Sequence, residues 1–175
     1  MTISQTALTL VTGGARSGKS RFAEGLVTAT QRPRVYIATA QAWDDEMRNR
    51  IADHRNQRGA DWTTLDAPYD LAGALRGVDG GAAVLVDCLT LWLTNVMLAE
   101  ADIAAESATL LEALAACPAP VTVVTNELGW SIVPENALAR RFRDAQGRLN
   151  QQIAAQADRV ITVISGLPLV LKGSL

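Results

Sequence analysis

Apolar and polar positions along the chain alternate between short apolar runs and longer segments of helical spacing. Residues 7–12, Ala-Leu-Thr-Leu-Val-Thr, form a β-rich run stopped by Gly13 and Gly14. Across 18–30, Phe22, Leu26 and Ala29 recur near helical spacing, which predicts a helix. Residues 34–39 predict a second strand. Asp44 is a suitable N-cap, with acidic residues in the next turn and arginines later, so a helix is expected over 44–58, broken at Gly59. Residues 82–87, 121–125 and 159–164 are almost wholly apolar, as strands covered on both faces are. Long helical runs separate them, over 91–116 and 137–157. Residues 167–172 contain Pro168, which cannot donate to a central ladder, so an edge strand is expected there. Strand–helix alternation of this kind predicts an α/β sandwich with a mainly parallel central sheet.

Composition narrows the class. The 175 residues fit one domain, 1–175, large enough to bury roughly two-thirds of the unfolded chain's surface. A net charge of −2 gives no global attraction to nucleic acid or to an anionic membrane. Cys88 and Cys117 lack any metal-ligand spacing and read as reduced thiols of a cytoplasmic protein. The N-terminal stretch lacks the basic region and the long apolar run of a signal peptide. The apolar stretch 82–99 is interrupted by Asp87, Thr90, Thr94 and Asn95, so no membrane span is expected.

Chemistry enters with Gly13-Gly14-Ala15-Arg16-Ser17-Gly18-Lys19-Ser20, which satisfies G-x-x-x-x-G-K-[ST] after a predicted strand and at the start of a predicted helix. Glycines there let successive N–H groups turn inward as an anion nest at a helix N-terminus. Lys19 is then expected on the β- and γ-phosphates and the Ser20 hydroxyl on Mg²⁺. Asp87 ends the apolar run 82–87, at the sheet edge where open α/β sheets bind ligands. It reads either as a carboxylate helping to hold Mg²⁺ or as the cap of the following helix. The loop serves kinases, motors, switches and nucleotidyl transferases alike. No Asn-Lys-x-Asp guanine motif is present, and Asp87-Cys88-Leu89-Thr90, at the end of the run 82–87, is no Asp-x-x-Gly switch.

His54 is the chain's single histidine. A helix from Asp44 places Met47, Ile51, His54 and Arg58 on one stripe, with Arg50 and Arg55 flanking the imidazole. A neutral imidazole is a competent nucleophile toward phosphorus, and arginines stabilise the charge that develops there. On local chemistry alone the plainer reading is that His54 ends the apolar stripe with a satisfied hydrogen bond. Asn126 and Glu127 follow the strand 121–125 and suit either substrate or Mg²⁺ contact, or turn and cap duty. Arg140, Arg141, Arg143 and Arg148 form a basic segment, in which Arg141 and Arg148 share a face suited to phosphate or to another subunit.

Four stretches together, GGARSGKSRFAE, YIATAQAWDDEMRNRIADHR, VLVDCLTLWLTN and VTNELGWSIVPENALARRFRDAQGRLNQ, resemble the bifunctional adenosylcobinamide kinase / adenosylcobinamide-phosphate guanylyltransferase family of cobalamin biosynthesis. The resemblance runs from about residue 8 to residue 172. It implies a P-loop NTPase-like three-layer sandwich, with a mainly parallel sheet and antiparallel additions, assembled as a homotrimer. It implies two activities, with ATP and GTP as substrates. One phosphorylates the aminopropanol hydroxyl of adenosylcobinamide; the other moves GMP from GTP onto an enzyme histidine and then onto adenosylcobinamide phosphate. The family's guanylylated histidine falls on His54, and where some relatives carry a second histidine just before it, this chain has Asp53. The family's nucleotide contacts fall on Gly13 to Ser20, on Ala38, Thr39 and Ala40, and on Arg55, Asn56, Gln57 and Arg58. Its acidic nucleotide-site positions fall on Asp66 and Asp87. The loop alone is also consistent with a small-molecule kinase that forms no covalent GMP, or with a non-catalytic nucleotide-binding regulatory subunit.

Overall fold

The computed structural model describes residues 8–42 and 44–175; inside the segment 45–58, the side chains of Glu46, Arg50, Asp53, His54, Arg55 and Gln57 lie outside the described set. Ala7, at the head of the first expected strand, also lies outside it. The elements run β1 (Leu8–Gly13), α1 (Lys19–Ala29), β2 (Arg34–Ala38), α2 (Asp45–Arg58), β3 (Trp62–Asp66), α3 (Leu71–Arg76), β4 (Ala83–Asp87), α4 (Leu89–Leu98), α5 (Ile103–Ala116), β5 (Val121–Asn126), α6 (Ala137–Gln156), β6 (Arg159–Ile164) and β7 (Leu167–Lys172).

One sheet holds the strands in the order β3-β2-β4-β5-β1-β6-β7. Every neighbouring pair is parallel except β6 and β7, which are antiparallel with Pro168 opposite Val163. Pro168 thus sits on an outer strand, where its missing N–H costs no ladder bond. Successive side chains of each inner strand enter opposite cores. In β4, Val84 and Val86 join the larger core with Leu71, Leu75, Trp92, Leu93, Leu110 and Leu149 of α3 to α6. Ala83 and Leu85 join the smaller one with Ala23 and Val27 of α1. The continuous apolar runs therefore have a physical cause: both faces of the sheet are covered.

The single helix expected over 91–116 is two helices. Glu100 adopts a left-handed φ of 56°, and the Asp102 side chain accepts from the Ala104 and Ala105 N–H groups to open α5. A carboxylate that satisfies two free N–H groups at a helix start stabilises a break that spacing alone does not reveal. Two elements were not anticipated, β3 and α3. β3 borders the sheet with Thr63, Leu65 and Asp66 exposed, and α3 spans six residues, so neither carries enough periodicity to register. The helix expected over 44–58 is present as α2, with Asp44 accepting from the Met47 N–H at 2.7 Å and Gly59 at a left-handed φ of 77°.

Candidate active site

Strand register brings distant carboxylates to one edge. Ala38 at the end of β2 pairs with Asp66 of β3 on one side and with Asp87 of β4 on the other. Gly13 of β1 pairs with Asn126 of β5 in the same way. Parallel strands present their carboxyl ends together, so residues far apart in sequence meet along a single rim.

The phosphate loop leaves that rim from β1. A Cβ added at Gly13 would stand 2.5 Å from the Ser17 Oγ and 2.6 Å from the Val163 carbonyl oxygen, so the close approach requires glycine. Gly18 caps α1 at φ 92°, and no side chain caps the helix, which leaves its first N–H groups for an anion. Gly14, Ala15 and Arg16 are exposed. Lys19 is only 9% exposed and its Nζ donates to the Gly14 carbonyl at 3.0 Å. The loop is braced from outside by Gly166 N–H donating to the Ser17 carbonyl at 2.8 Å and Glu127 N–H donating to the Gly13 carbonyl at 3.0 Å.

Beside the loop opens a cleft of about 370 Å³ whose walls include Ser20, Tyr36, Ala38, Ala40, Met47, Ile51, Arg58, Asp66, Asp87 and Asn126. Met47, Ile51 and Arg58 are three of the four positions of the expected stripe on α2. His54 lies in α2, and its side chain is outside the described residues, as are those of Arg55 and Gln57. Asn56 is exposed and is not among the lining residues. Of Ala38, Thr39 and Ala40, the alanines line the cleft while Thr39 is fully buried. Its hydroxyl donates to the Cys88 carbonyl at 2.7 Å and accepts from the Cys88 N–H at 2.9 Å, which pins the end of β2 to the end of β4.

Asp87 does not cap α4: the N-cap is Cys88, without a side-chain cap bond, and Asp87 faces the cleft. The Asp87 charge acts on the Tyr36 hydroxyl of the neighbouring strand β2. The Tyr36 ring in turn lies under Arg58, whose Cζ is 3.3 Å from the ring centroid. Burial and then the Asp87 charge push the Tyr36 hydroxyl above its usual range, and burial followed by Asp87 pushes the Cys88 thiol up to about 11. Cys88 is therefore a neutral thiol and no nucleophile near neutral pH. Half-buried Glu24, one turn along α1 from Ser20, is raised by burial first, with Arg58 opposing and Asp87 reinforcing the shift. Neither Tyr36 nor Glu24 stood out in the sequence, because a tyrosine in an apolar strand and a glutamate on a helix are ordinary residues there.

Asn126 and Glu127 part company. The Glu127 carboxylate accepts from the Gly129 N–H at 3.1 Å and serves the turn. Asn126 lines the cleft, with a buried side-chain oxygen that has no hydrogen-bond partner among the described residues. Its backbone is held by the Thr90 hydroxyl at 3.0 Å and by Asn150, whose amide donates to the Asn126 carbonyl at 3.1 Å. The arginines of α6 stand elsewhere. Arg141 and Arg148 share a separate depression with Glu100 and Asp102, Arg140 donates to the Pro134 and Glu135 carbonyls, and Arg143 approaches Asp144 at 4.0 Å. Among the described residues no group of three or more His, Cys, Asp or Glu side chains could hold a metal by itself. No helix among them is long and apolar enough to cross a membrane.

Solved structures share this fold at low identity. The RadB recombinase superposes with a TM-score of 0.54 at 18% identity, covering 90% of this chain and 74% of its own. The flagellar accessory protein FlaH from Methanocaldococcus jannaschii gives 0.53 at 12%, covering 97% and 79%. The likeness carries the fold alone, an α/β fold with a mostly parallel sheet. Sequence relatives are much nearer. The bifunctional adenosylcobalamin biosynthesis protein CobP of Pseudomonas aeruginosa is 48% identical over 167 residues, covering 94% of this chain and 96% of its own. The protein CobU of Escherichia coli, described in the same words, is 42% identical over 179 residues, covering 93% and 98%. The family described as cobinamide kinase / cobinamide phosphate guanyltransferase matches residues 9–171. With a phosphate loop at one end of the cleft and this likeness along nearly its whole length, the chain belongs to that family of kinases and nucleotidyltransferases.

Proposed function

We propose that the protein phosphorylates adenosylcobinamide with a nucleoside triphosphate and then transfers GMP from GTP to adenosylcobinamide phosphate by way of His54. The observation that carries the histidine step is the stripe on α2: Met47, Ile51 and Arg58 line the same cleft as Ser20 and Asp87. Helical spacing puts position 54 on that stripe, between Ile51 and Arg58. In the first half-reaction an imidazole nitrogen bonds to the α-phosphorus of GTP, the bond to the β-phosphate oxygen breaks, and pyrophosphate leaves as the imidazole loses its proton. In the second, a phosphate oxygen of adenosylcobinamide phosphate bonds to the same phosphorus and the P–N bond breaks, giving adenosyl-GDP-cobinamide. Splitting the transfer divides one hard displacement into two easier ones.

The chain's own groups have distinct tasks in this scheme. The uncapped N-terminus of α1 and Lys19 receive the polyphosphate, and Arg58 meets a phosphate oxygen from the opposite wall. Ser20 and Asp87 supply a hydroxyl and one carboxylate to the same cleft, hard oxygen donors of the kind that Mg²⁺ takes while keeping several waters. Bound there, Mg²⁺ would neutralise charge on the β- and γ-oxygens. Asp66, on the cleft wall beside Ala38, is placed as an acidic contact of the nucleotide site.

Incubation with α-labelled GTP and Mg²⁺, followed by denaturation, tests the histidine step. Acid-labile, alkali-stable label on the protein is expected, and its persistence in His54→Ala would sink the assignment. γ-Phosphate transfer without any covalent GMP would indicate the plain kinase instead. Copies of the chain are read as associating in a trimer; exposed Leu167, Leu169 and Leu171 on the outer strand β7 support association, and light scattering measures it.

A further inference from the structure

We infer that Tyr36 is a positioning residue of this cleft, setting Arg58 and Asp87 relative to each other; this rests on the reading that a nucleoside triphosphate binds there. Tyr36 is the middle residue of β2, an inner strand held by β3 on one side and β4 on the other, and it is 6% exposed. The edge of Trp62 abuts its ring, centroids 6.2 Å apart at 84°. A side chain so enclosed has one orientation to offer, and it offers a different part to each partner. The ring face carries the Arg58 guanidinium at 3.3 Å, and the hydroxyl lies within reach of the Asp87 charge on the adjacent strand β4.

The consequence differs for the two partners. Arg58 is the last residue of α2, ahead of a left-handed glycine, and would be free to swing toward water on its flexible stem. Stacking on an aromatic face holds a guanidinium without spending any of its five N–H donors. Consistent with that, Arg58 Nη1 is buried and has no hydrogen-bond partner among the described residues. In a cleft walled by Ser20 and Asp87, an unspent buried guanidinium N–H matches a phosphate oxygen. Asp87, by contrast, lies two residues beyond Leu85, the β4 partner of Tyr36, and there the hydroxyl is inferred to hold one side of the carboxylate while its remaining lone pairs stay open to the cleft. A rigid inner strand therefore sets the distance between an anion-binding and a cation-binding group, as a precise site requires.

The test separates the ring from the hydroxyl. GTP affinity is measured in EDTA by equilibrium dialysis, and the Mg²⁺ concentration that half-maximally tightens GTP binding is measured by the same method. Tyr36→Leu, confirmed folded by its thermal transition, should weaken metal-free GTP binding about tenfold, and Arg58→Met should weaken it by about as much. If Tyr36 acts through Arg58, the double variant should be no weaker than Arg58→Met alone. Tyr36→Phe keeps the ring, so its metal-free affinity should stay within about twofold while the Mg²⁺ concentration for half-maximal tightening of GTP binding rises several-fold. Unchanged affinity in Tyr36→Leu, or additive losses in the double variant, would overturn the inference. Should Tyr36→Leu not fold, Tyr36→Phe decides alone, and an unchanged Mg²⁺ requirement would overturn it. Because affinity in EDTA needs no covalent step, it is read independently of whether His54 accepts label.

Discussion

The Nζ of Lys19 donates a 3.0 Å hydrogen bond to the carbonyl of Gly14, so the loop's only lysine rests across the mouth of its own nest, 9% exposed. When a triphosphate arrives, this ammonium can make charge-assisted hydrogen bonds to its phosphate oxygens. Lys19→Met keeps the stem and removes the charge. It should lower both the γ-phosphate transfer rate and the covalent labelling rate by about 10²- to 10³-fold, the scale for removing one preorganised electrostatic contact. Single-turnover measurements at saturating nucleotide check this, and a thermal transition near that of the parent excludes misfolding as the cause.

Gly13 gives a prediction of the opposite kind, on stability. Its missing Cβ leaves room for the Ser17 Oγ and the Val163 carbonyl, which an added methyl would approach at 2.5 and 2.6 Å. Backbone at Val163 cannot yield without moving β6, so Gly13→Ala should cost about 1–3 kcal/mol, the range for overpacking. Urea unfolding measures the loss. Gly14→Ala meets nothing within 4 Å and should leave the midpoint nearly unchanged, which makes it the internal control.

Thr39 tests the clamp between β2 and β4. Thr39→Val is close in shape but strands the Cys88 N–H and carbonyl that the hydroxyl satisfies. Leaving buried polar groups unpaired costs about 1–3 kcal/mol. A fall of that size in the denaturant-derived stability is expected. Thr39→Ser, which retains the hydroxyl, should recover most of it.

Cys88 supplies a pH signature. Its thiol titrates at about 11 in the folded chain against an ordinary value of 9.0, owing to burial and then Asp87. The folded state thus holds its proton over a range where the unfolded state releases it. This contribution is complete below about pH 9 and is lost as pH rises toward about 11. Stability should therefore fall between those limits. Cys88→Ala should reduce the slope without abolishing it, because the Tyr36 hydroxyl is raised for the same first reason, burial. Equilibrium unfolding from pH 8 to pH 11 would show this, and an identical slope in the variant would remove Cys88 as a cause.

Much of the fold was legible because its inner strands have no solvent face. β4, β5 and β6 are rich in Val and Ile and buried at nearly every position since helices cover both sides, and such runs stand out from any helix pattern. Elements at the periphery were not legible. Trp62-Thr63-Thr64-Leu65-Asp66 is half solvated, and its strand character comes from pairing with β2 rather than from its own residues. The break between α4 and α5 was hidden in a run without glycine or proline; Asp102, placed to cap a new helix, was its one local sign.

The sequence by itself determined the phosphate loop, the α2 stripe and its Asp44 cap, and the identity of the apolar strands, because each depends on neighbours within a few positions. The meeting of Asp66, Asp87 and Asn126 with Ser20 around one cleft was decided only by tertiary structure, since parallel register aligns strand ends that local spacing cannot relate. So was the choice between alternatives that residue type left open. Asp87 faces the cleft because Cys88 takes the cap position, Glu127 is spent on Gly129, and Tyr36, on an inner strand between β3 and β4, meets Arg58 of α2 on its ring and the Asp87 charge of β4 at its hydroxyl. Side-chain chemistry sets what each residue can do, while packing against elements distant in sequence sets which of those things it does.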